Sequence, residues 1–302
     1  MSTLGRDVKI AVRQLLKTPG FVITAVLMLA LGIGATTAIF SIVEGVLLRP
    51  LPFPQPDRLV MVADVLEGAK VGGNNEAGVT VPDIRNYTRD THSFTSLGGY
   101  QGAGFELSGI GEPAMVTGTR MSGGVLPALG VQPLMGRVFT QEEDDQHQQV
   151  VVLSYSTWQS RFQGDPNILS KKILLDRKPY VVIGVMPRNF EFPLQPGHLN
   201  RSELWVPVSF TPQELSGAAA ANWSYSMVGR LKPGVTAAQA ASDAGLVAKE
   251  TIRNYPAFLA GFTMYPIVRS LHDETVEAAR PLIRTLFLAV AVVLLKIGRA
   301  HV

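Results

Sequence analysis

Residues 21–43 form a run of twenty-three positions without a charged side chain, FVITAVLMLALGIGATTAIFSIV. An α-helix rises about 1.5 Å per residue, so about 20 apolar residues cross a hydrocarbon layer about 30 Å thick. Because backbone polar groups in lipid must be satisfied internally, a helix is the expected form of such a run. We therefore predict a transmembrane helix over residues 19–48, with Thr18 as N-cap and Pro19 in its first turn.

An amphipathic helix is predicted before this span, in residues 1–18. Four basic side chains lie on the arc opposite its apolar face, namely Arg6, Lys9, Arg13 and Lys17. Such a basic stripe suits a helix at a membrane surface, and a short soluble amphipathic helix is the alternative. Because basic residues beside a span stay in the cytoplasm, the N-terminus is predicted inside and most of the chain outside. A cleaved signal peptide is the competing interpretation, but its apolar core would have only about 7–15 residues.

Small residues recur every four positions within the predicted span, at Ala30, Gly34 and Ala38. This spacing lets two membrane helices approach closely, so we predict a helix-packing face there. The alternative is that glycine and alanine are simply common in membrane helices.

The chain after the span changes character twice. Residues 49–58 begin RPLPFPQP, and alternate prolines predict a stiff, extended spacer. Residues 59–280 are predicted to form an α+β domain in two lobes outside the membrane. Its predicted strands are 59–65, 113–121, 150–154, 171–176 and 180–185, with a turn at 176–178. Its predicted helices are 82–90, 155–162 and 236–254, the last starting with a capping box at Thr236 and Gln239.

The C-terminal residues have an unusual pattern. Residues 281–296 contain the ten-residue apolar run LFLAVAVVLL, which is too short to span a bilayer and predicts the truncated start of a second transmembrane helix. Residues 297–302, IGRAHV, match a translated sequencing adapter. We therefore expect a non-biological tail on a fragment of a longer protein.

Motifs for catalysis or cofactor binding are missing from the sequence. There is no P-loop, HExxH, CxxC or GxSxG pattern, no cysteine, and no local pair among the five histidines. The acidic run 141–145 lacks calcium-loop spacing and predicts a solvated turn. We therefore expect no enzyme activity, no cofactor and no metal, although a triad assembled from distant residues stays open. The net charge of +3 is concentrated in the N-terminal stripe, which favours a membrane over nucleic acid as partner.

Several short motifs occur in an order that resembles the MacB-type ABC transporter permeases, especially the duplicated orphan permeases of the FtsX-like superfamily. They are VRQL (12–15), TPGF (18–21), ALGIGA (30–35), LRPLP (48–52), VPD (81–83), SF (93–94), LGVQP (129–133), GRVF (136–139), VLSY (152–155), Trp158, Phe162, the Gly-Asp-Pro at 164–166, VIGVMP (182–187), LWVP (204–207) and GRLKPGV (229–235).

This resemblance implies an inner-membrane permease subunit with a MacB-like periplasmic core domain between its first two spans. It further implies coupling to a cytoplasmic ABC-type ATPase on another subunit, in efflux or mechanotransmission, and a possible homodimer. An FtsX-like envelope regulator without transport is the alternative, and an anchored external enzyme is a third, weakened by the missing motifs. The substrate is not indicated.

Overall fold

The computed structural model describes residues 51–67, 76–109, 112–194, 201–216, 221–253, 255 and 263–275. It also describes residues 13, 17–20, 22–23, 26, 30, 32–34, 37, 284–285, 287–288 and 292. The chain divides into two compact units. One combines Met1–Arg49 with Val276–Val302, and the other is Pro50–Thr275. The predicted tail at 297–302 lies outside the described residues.

Among the described residues of the second unit, eleven strands form one mixed sheet. Their bounds are β1 Leu59–Glu67, β2 Glu76–Ala77, β3 Phe94–Ser108, β4 Ala114–Met121, β5 Met135–Gly136, β6 Val150–Leu153, β7 Lys172–Leu175, β8 Lys178–Val185, β9 Leu204–Pro207, β10 Ser226–Leu231 and β11 Thr263–Ser270. The order is β11-β1-β10-β3-β4-β9-β6-β8-β5, with β2 beside β1 and β7 beside β3 and β8. The pairs β4–β9 and β6–β8 are parallel.

Within the part of the chain that the structure describes, five α-helices with both ends defined accompany this sheet. Their bounds are α1 Val81–Asp90, α2 Val125–Leu129, α3 Gln141–Asp145, α4 Tyr155–Phe162 and α5 Ala237–Arg253. The α+β class is therefore confirmed, as are the predicted strands and helices, each within a few residues. The predicted capping box is also present, because Thr236 N donates to Gln239 Oε1 (2.9 Å) and Gln239 N donates to Thr236 Oγ1 (3.2 Å).

The predicted turn at 176–178 joins β7 to β8. Asp176 and Arg177 have φ angles of 48° and 63°, and Leu175 pairs with Lys178 across the hairpin. Positive φ at both central residues matches the twist of the flanking strands, which fixes the hairpin register.

Three main clusters of buried side chains pack along the sheet. The first core surrounds Trp205 and includes Leu51, Phe53 and Leu271. The second core lies beside α1 and α5, and the third includes Trp158 and Phe162 of α4. The sequence predicted two lobes, whereas a single continuous sheet links these cores within one compact unit.

Residues 51–58, here called the junction segment, differ from the extended spacer that the prolines predict. Leu51 and Phe53 are buried, and Pro56–Arg58 form a 3-10 helix that leads into β1. The two apolar side chains between the prolines pack into the first core, so this part of 49–58 belongs to the folded unit. Burying them removes apolar surface from water, which outweighs the preference of prolines for an isolated extended chain.

Candidate functional site

Both ends of the second unit pack into the same core. Leu51 and Phe53 begin the described part of the unit, and Leu271 lies four residues before its C-terminal boundary. All three are buried in the first core, with exposed fractions of 8%, 5% and 5%. Protein interiors are close-packed and stiff. A displacement of either end of the unit would therefore act directly on the core under the sheet.

Arg230 ties the junction segment to the sheet and to α2. From β10, its guanidinium donates to Pro54 O (2.8 Å), Gln55 O (3.3 Å), Ala128 O (2.7 Å) and Leu129 O (3.2 Å). The carbonyls of Ala128 and Leu129 lie in the last turn of α2, where no intrahelical donor is available. One side chain thus satisfies carbonyls from two segments that are far apart in sequence.

A second arginine makes the reciprocal contact. Arg58, in the 3-10 helix of the junction segment, donates to Leu231 O from Nε (2.8 Å) and from one terminal nitrogen (2.6 Å). Burial, together with the nearby charge of Arg58, lowers the pKa of Arg230 below its usual range. Both arginines bind backbone carbonyls, which makes the attachment specific to the local backbone geometry. We call Arg58, Arg230 and their carbonyl partners the arginine clamp.

The acidic run 141–145 is not the solvated turn predicted from its composition. It forms α3, whose capping box joins Thr140 and Glu143, and both Glu143 and Asp144 are buried. Glu143 pairs with Arg137 at 2.7 Å, and its side chain is only 11% exposed. Burial raises the pKa of Asp144 to about 6, although Ser209 N donates to it at 2.7 Å. Packing of α3 against the domain therefore overrides the preference of acids for water.

A surface cleft of about 470 Å³ lies beside α3. Its lining includes Arg85 and Arg89 of α1 together with Asp144 and Asp145. Charges of both signs therefore line it, and no single ligand class is favoured. Among the residues that the structure describes, no group of three or more histidine, aspartate or glutamate side chains could hold a metal ion.

The helix-packing residues predicted in the first span are only partly described. Ala30 and Gly34 are helical and exposed, whereas Ala38 lies outside the described residues. Apart from its chain neighbours and its own helix backbone, a Cβ atom at Gly34 would meet no atom of the described residues within 4 Å. Within the described part of the chain, no helix reaches the length and apolarity needed to cross a membrane. The packing face stays a prediction.

The basic stripe is described at two of its four positions. Arg13 is helical, and both Arg13 and Lys17 are exposed, whereas Arg6 and Lys9 lie outside the described residues. Exposure of the two side chains does not test the predicted membrane contact. This interfacial role also stays a prediction.

Sequence reasoning missed the arginine clamp. In the sequence, Arg230 is distinguished only as part of the family motif GRLKPGV. Arg230 and its acceptors are separated by 101 to 176 positions, so no local spacing reveals the contact. One local sign is present: the largely apolar strand SMVGRL contains a single charged residue, Arg230. A charged residue in a buried strand requires partners, but the strand does not show which ones.

Comparison with known proteins identifies the domain. Residues 22–245 match the family described as MacB-like periplasmic core domain. No curated protein matches the chain significantly.

Three solved structures are among those that match the chain. The periplasmic region of MacB from Actinobacillus actinomycetemcomitans is 15% identical, with a TM-score of 0.49, covering 80% of this chain and 98% of that one. The extracellular domain of the noncanonic ABC-type transporter YknZ from Gram-positive bacteria is 14% identical, with a TM-score of 0.48 and coverages of 70% and 99%. A domain of a putative permease protein from Porphyromonas gingivalis is 16% identical, with a TM-score of 0.48 and coverages of 72% and 92%.

Proposed function

The chain belongs to the family of MacB-like periplasmic core domains, and on this premise we propose that it is the membrane-anchored subunit of an ABC-type efflux or mechanotransmission permease. In this proposal the N-terminus is cytoplasmic and the segment 19–48 spans the bacterial inner membrane. The unit Pro50–Thr275 lies in the periplasm and receives motion that starts at a cytoplasmic ATPase.

The observation that carries this proposal is the attachment of the junction segment. Leu51 and Phe53 are anchored in the first core, and the arginine clamp binds the carbonyls of residues 54 and 55. The junction segment continues directly from the predicted first span. A rigid attachment transmits a small shift of a helix to the domain, whereas a loose linker would absorb it.

The proposal assigns three partners to this chain. Without a P-loop in these 302 residues, ATP hydrolysis is assigned to a separate ABC-type ATPase subunit, and this chain is assigned no catalytic role. A homodimer formed through Ala30, Gly34 and Ala38 would bring two such domains together. The proposed partners are therefore the membrane, an ATPase and a second copy of the chain.

Affinity purification of the full chain from its own host tests the proposed function. We expect a P-loop ATPase to copurify, and we expect the protease sensitivity of the junction segment to change when ATP is added to the complex. Copurification of a cell-wall hydrolase with no ATPase would favour the FtsX-like regulator. An Arg230→Met variant, which removes the arginine-clamp donors to Pro54 O and Gln55 O, should weaken this response to ATP. Arg253→Met, at a side chain that is 72% exposed, is its matched control and should keep the response.

A further inference from the structure

Two carboxyl groups are completely buried between β1 and α1. Asp64 on β1 and Asp83 in the first turn of α1 both have exposed fractions of 0%. Asp64 has the same inward register on its strand as Val60 and Val62, which belong to the second core. An ionised carboxylate in such surroundings is costly unless donors or a cation compensate for its lost hydration.

Asp83 has the donors that an ionised carboxylate requires. Its Oδ2 atom accepts from Thr80 N (2.9 Å) and from Thr80 Oγ1 (2.5 Å). Its Oδ1 atom accepts from Tyr255 OH (2.7 Å), on the chain that follows α5. Three donors thus stabilise a negative charge on Asp83.

Asp64 lacks a comparable set. Its Oδ1 atom accepts from Tyr87 OH at 2.9 Å, but the buried Oδ2 atom has no donor among the described residues. A buried acceptor without a donor is unfavourable. Burial, the charge of Asp83, and a hydrogen bond to Asp83 that only the protonated form can donate together raise the pKa of Asp64 well above its usual range.

Among the described residues, the strands that pair with β1 at Asp64 place no cation opposite it. Opposite Asp64, β2 places Ala77 and β11 places Pro266, neither of which titrates. The nearest charges on those strands, Glu76 and Arg269, pair with each other. Burial raises the pKa values of Tyr87 and Tyr255, so both phenols stay neutral donors.

We propose that the buried pair Asp64 and Asp83 forms a proton-binding site that holds one proton at neutral pH, carried on the unpartnered Oδ2 atom of Asp64. The bound proton turns an unpaired acceptor into a donor, and Asp83 keeps its charge and its three donors. Through Asp83 and Tyr255, the site links β1, α1 and the chain after α5. This role goes beyond the proposed transport function and does not depend on it.

Infrared spectroscopy of the wild-type full chain, in a detergent without ester or carboxyl groups, detects this proton directly. At about pH 7.5 the ordinary carboxylic acids are ionised. Asp144, whose pKa is about 6, is also ionised in most molecules at this pH. We expect a protonated-carboxyl C=O band that shifts on exchange into deuterium oxide. Its absence would overturn the proposal without any variant being needed.

The Asp64→Asn variant adds a second readout. The pKa of Asp64 is higher in the folded protein than in the unfolded chain. Its proton therefore contributes fully to stability at pH values below the unfolded-state pKa, and this contribution is lost as the pH rises through the folded-state pKa. For one proton, the unfolding equilibrium constant increases by up to about tenfold per pH unit in that window. Asparagine donates permanently, so we expect Asp64→Asn to lose both the infrared band and this pH dependence.

The matched control is Asp90→Asn, which changes an acid that is 42% exposed at the C-terminal end of α1, the helix that carries Asp83. This variant should keep both the band and the pH dependence of the wild type. If Asp64→Asn retained the wild-type band, or if its stability fell with rising pH as steeply as that of the wild type, the proton would not reside on this pair.

Discussion

Replacing Arg230 with methionine is expected to lower the free energy of unfolding by about 2–4 kcal/mol. Methionine keeps much of the apolar stem but removes the donors to Pro54 O, Gln55 O, Ala128 O and Leu129 O. The buried bonds are those to Ala128 O and Leu129 O, and leaving these carbonyls without the arginine donor costs more than is gained from no longer burying a cation. Urea denaturation of the purified full chain measures the change.

Hydrogen exchange shows where the effect of Arg230→Met acts. The backbone amides of the junction segment should exchange faster, because the clamp on Pro54 and Gln55 is lost. The control Arg253→Met, at a solvent-exposed arginine of α5, should change the unfolding free energy by no more than about 0.5 kcal/mol. Equal effects of the two substitutions would show that Arg230 is not a structural clamp.

Replacing Trp205 with alanine is expected to cost about 3–5 kcal/mol of unfolding free energy. Trp205 is fully buried in the first core, and its Nε1 donates to Phe192 O at 2.8 Å. Its ring packs edge-on against that of Phe190, with 5.1 Å between the ring centroids. Alanine leaves a cavity in the core that also holds Leu51 and Phe53. Urea denaturation followed by hydrogen exchange of the junction segment measures both consequences.

Trp158 provides the comparison for this effect. It is 9% exposed in the third core, and its Nε1 donates to Asp165 O at 2.9 Å. Trp158→Ala should therefore also destabilise the protein by several kcal/mol but leave exchange in the junction segment nearly unchanged at low urea. If both variants loosened the junction segment equally, its anchoring would depend on global stability and not on the first core.

Local sequence signals predict the helices and strands that depend mainly on interactions between residues close in sequence. The β7–β8 hairpin, α4 and α5 follow from alternating apolar residues, turn residues and capping residues. The strand β3 was missed because FTSLGGYQGAGFELS is rich in glycine, which is disfavoured in strands. Two of its glycines are required by tertiary packing, since a Cβ at Gly98 would lie 2.9 Å from Val125 N and one at Gly99 would lie 2.4 Å from Ile84 Cδ1.

The sites were harder to predict than the fold. Asp64 lies in the strand predicted from LVMVADV, and its inward register was the available sign that a buried acid needed a partner. The partners themselves, Asp83, Tyr87 and Tyr255, come from other elements. The same holds for Arg230, whose acceptors come together only when the sheet has formed.

Labelling with a membrane-impermeant maleimide tests the central claim most directly, because the chain has no cysteine of its own. Single cysteines are introduced by Met115→Cys, at a side chain 71% exposed on β4, and by Lys17→Cys, at an exposed position before the first predicted span. In intact spheroplasts we expect label on the Met115→Cys variant alone, with Lys17→Cys labelled only after lysis. A Met115→Cys variant that reacts only after lysis would contradict a membrane-anchored subunit with its domain in the periplasm.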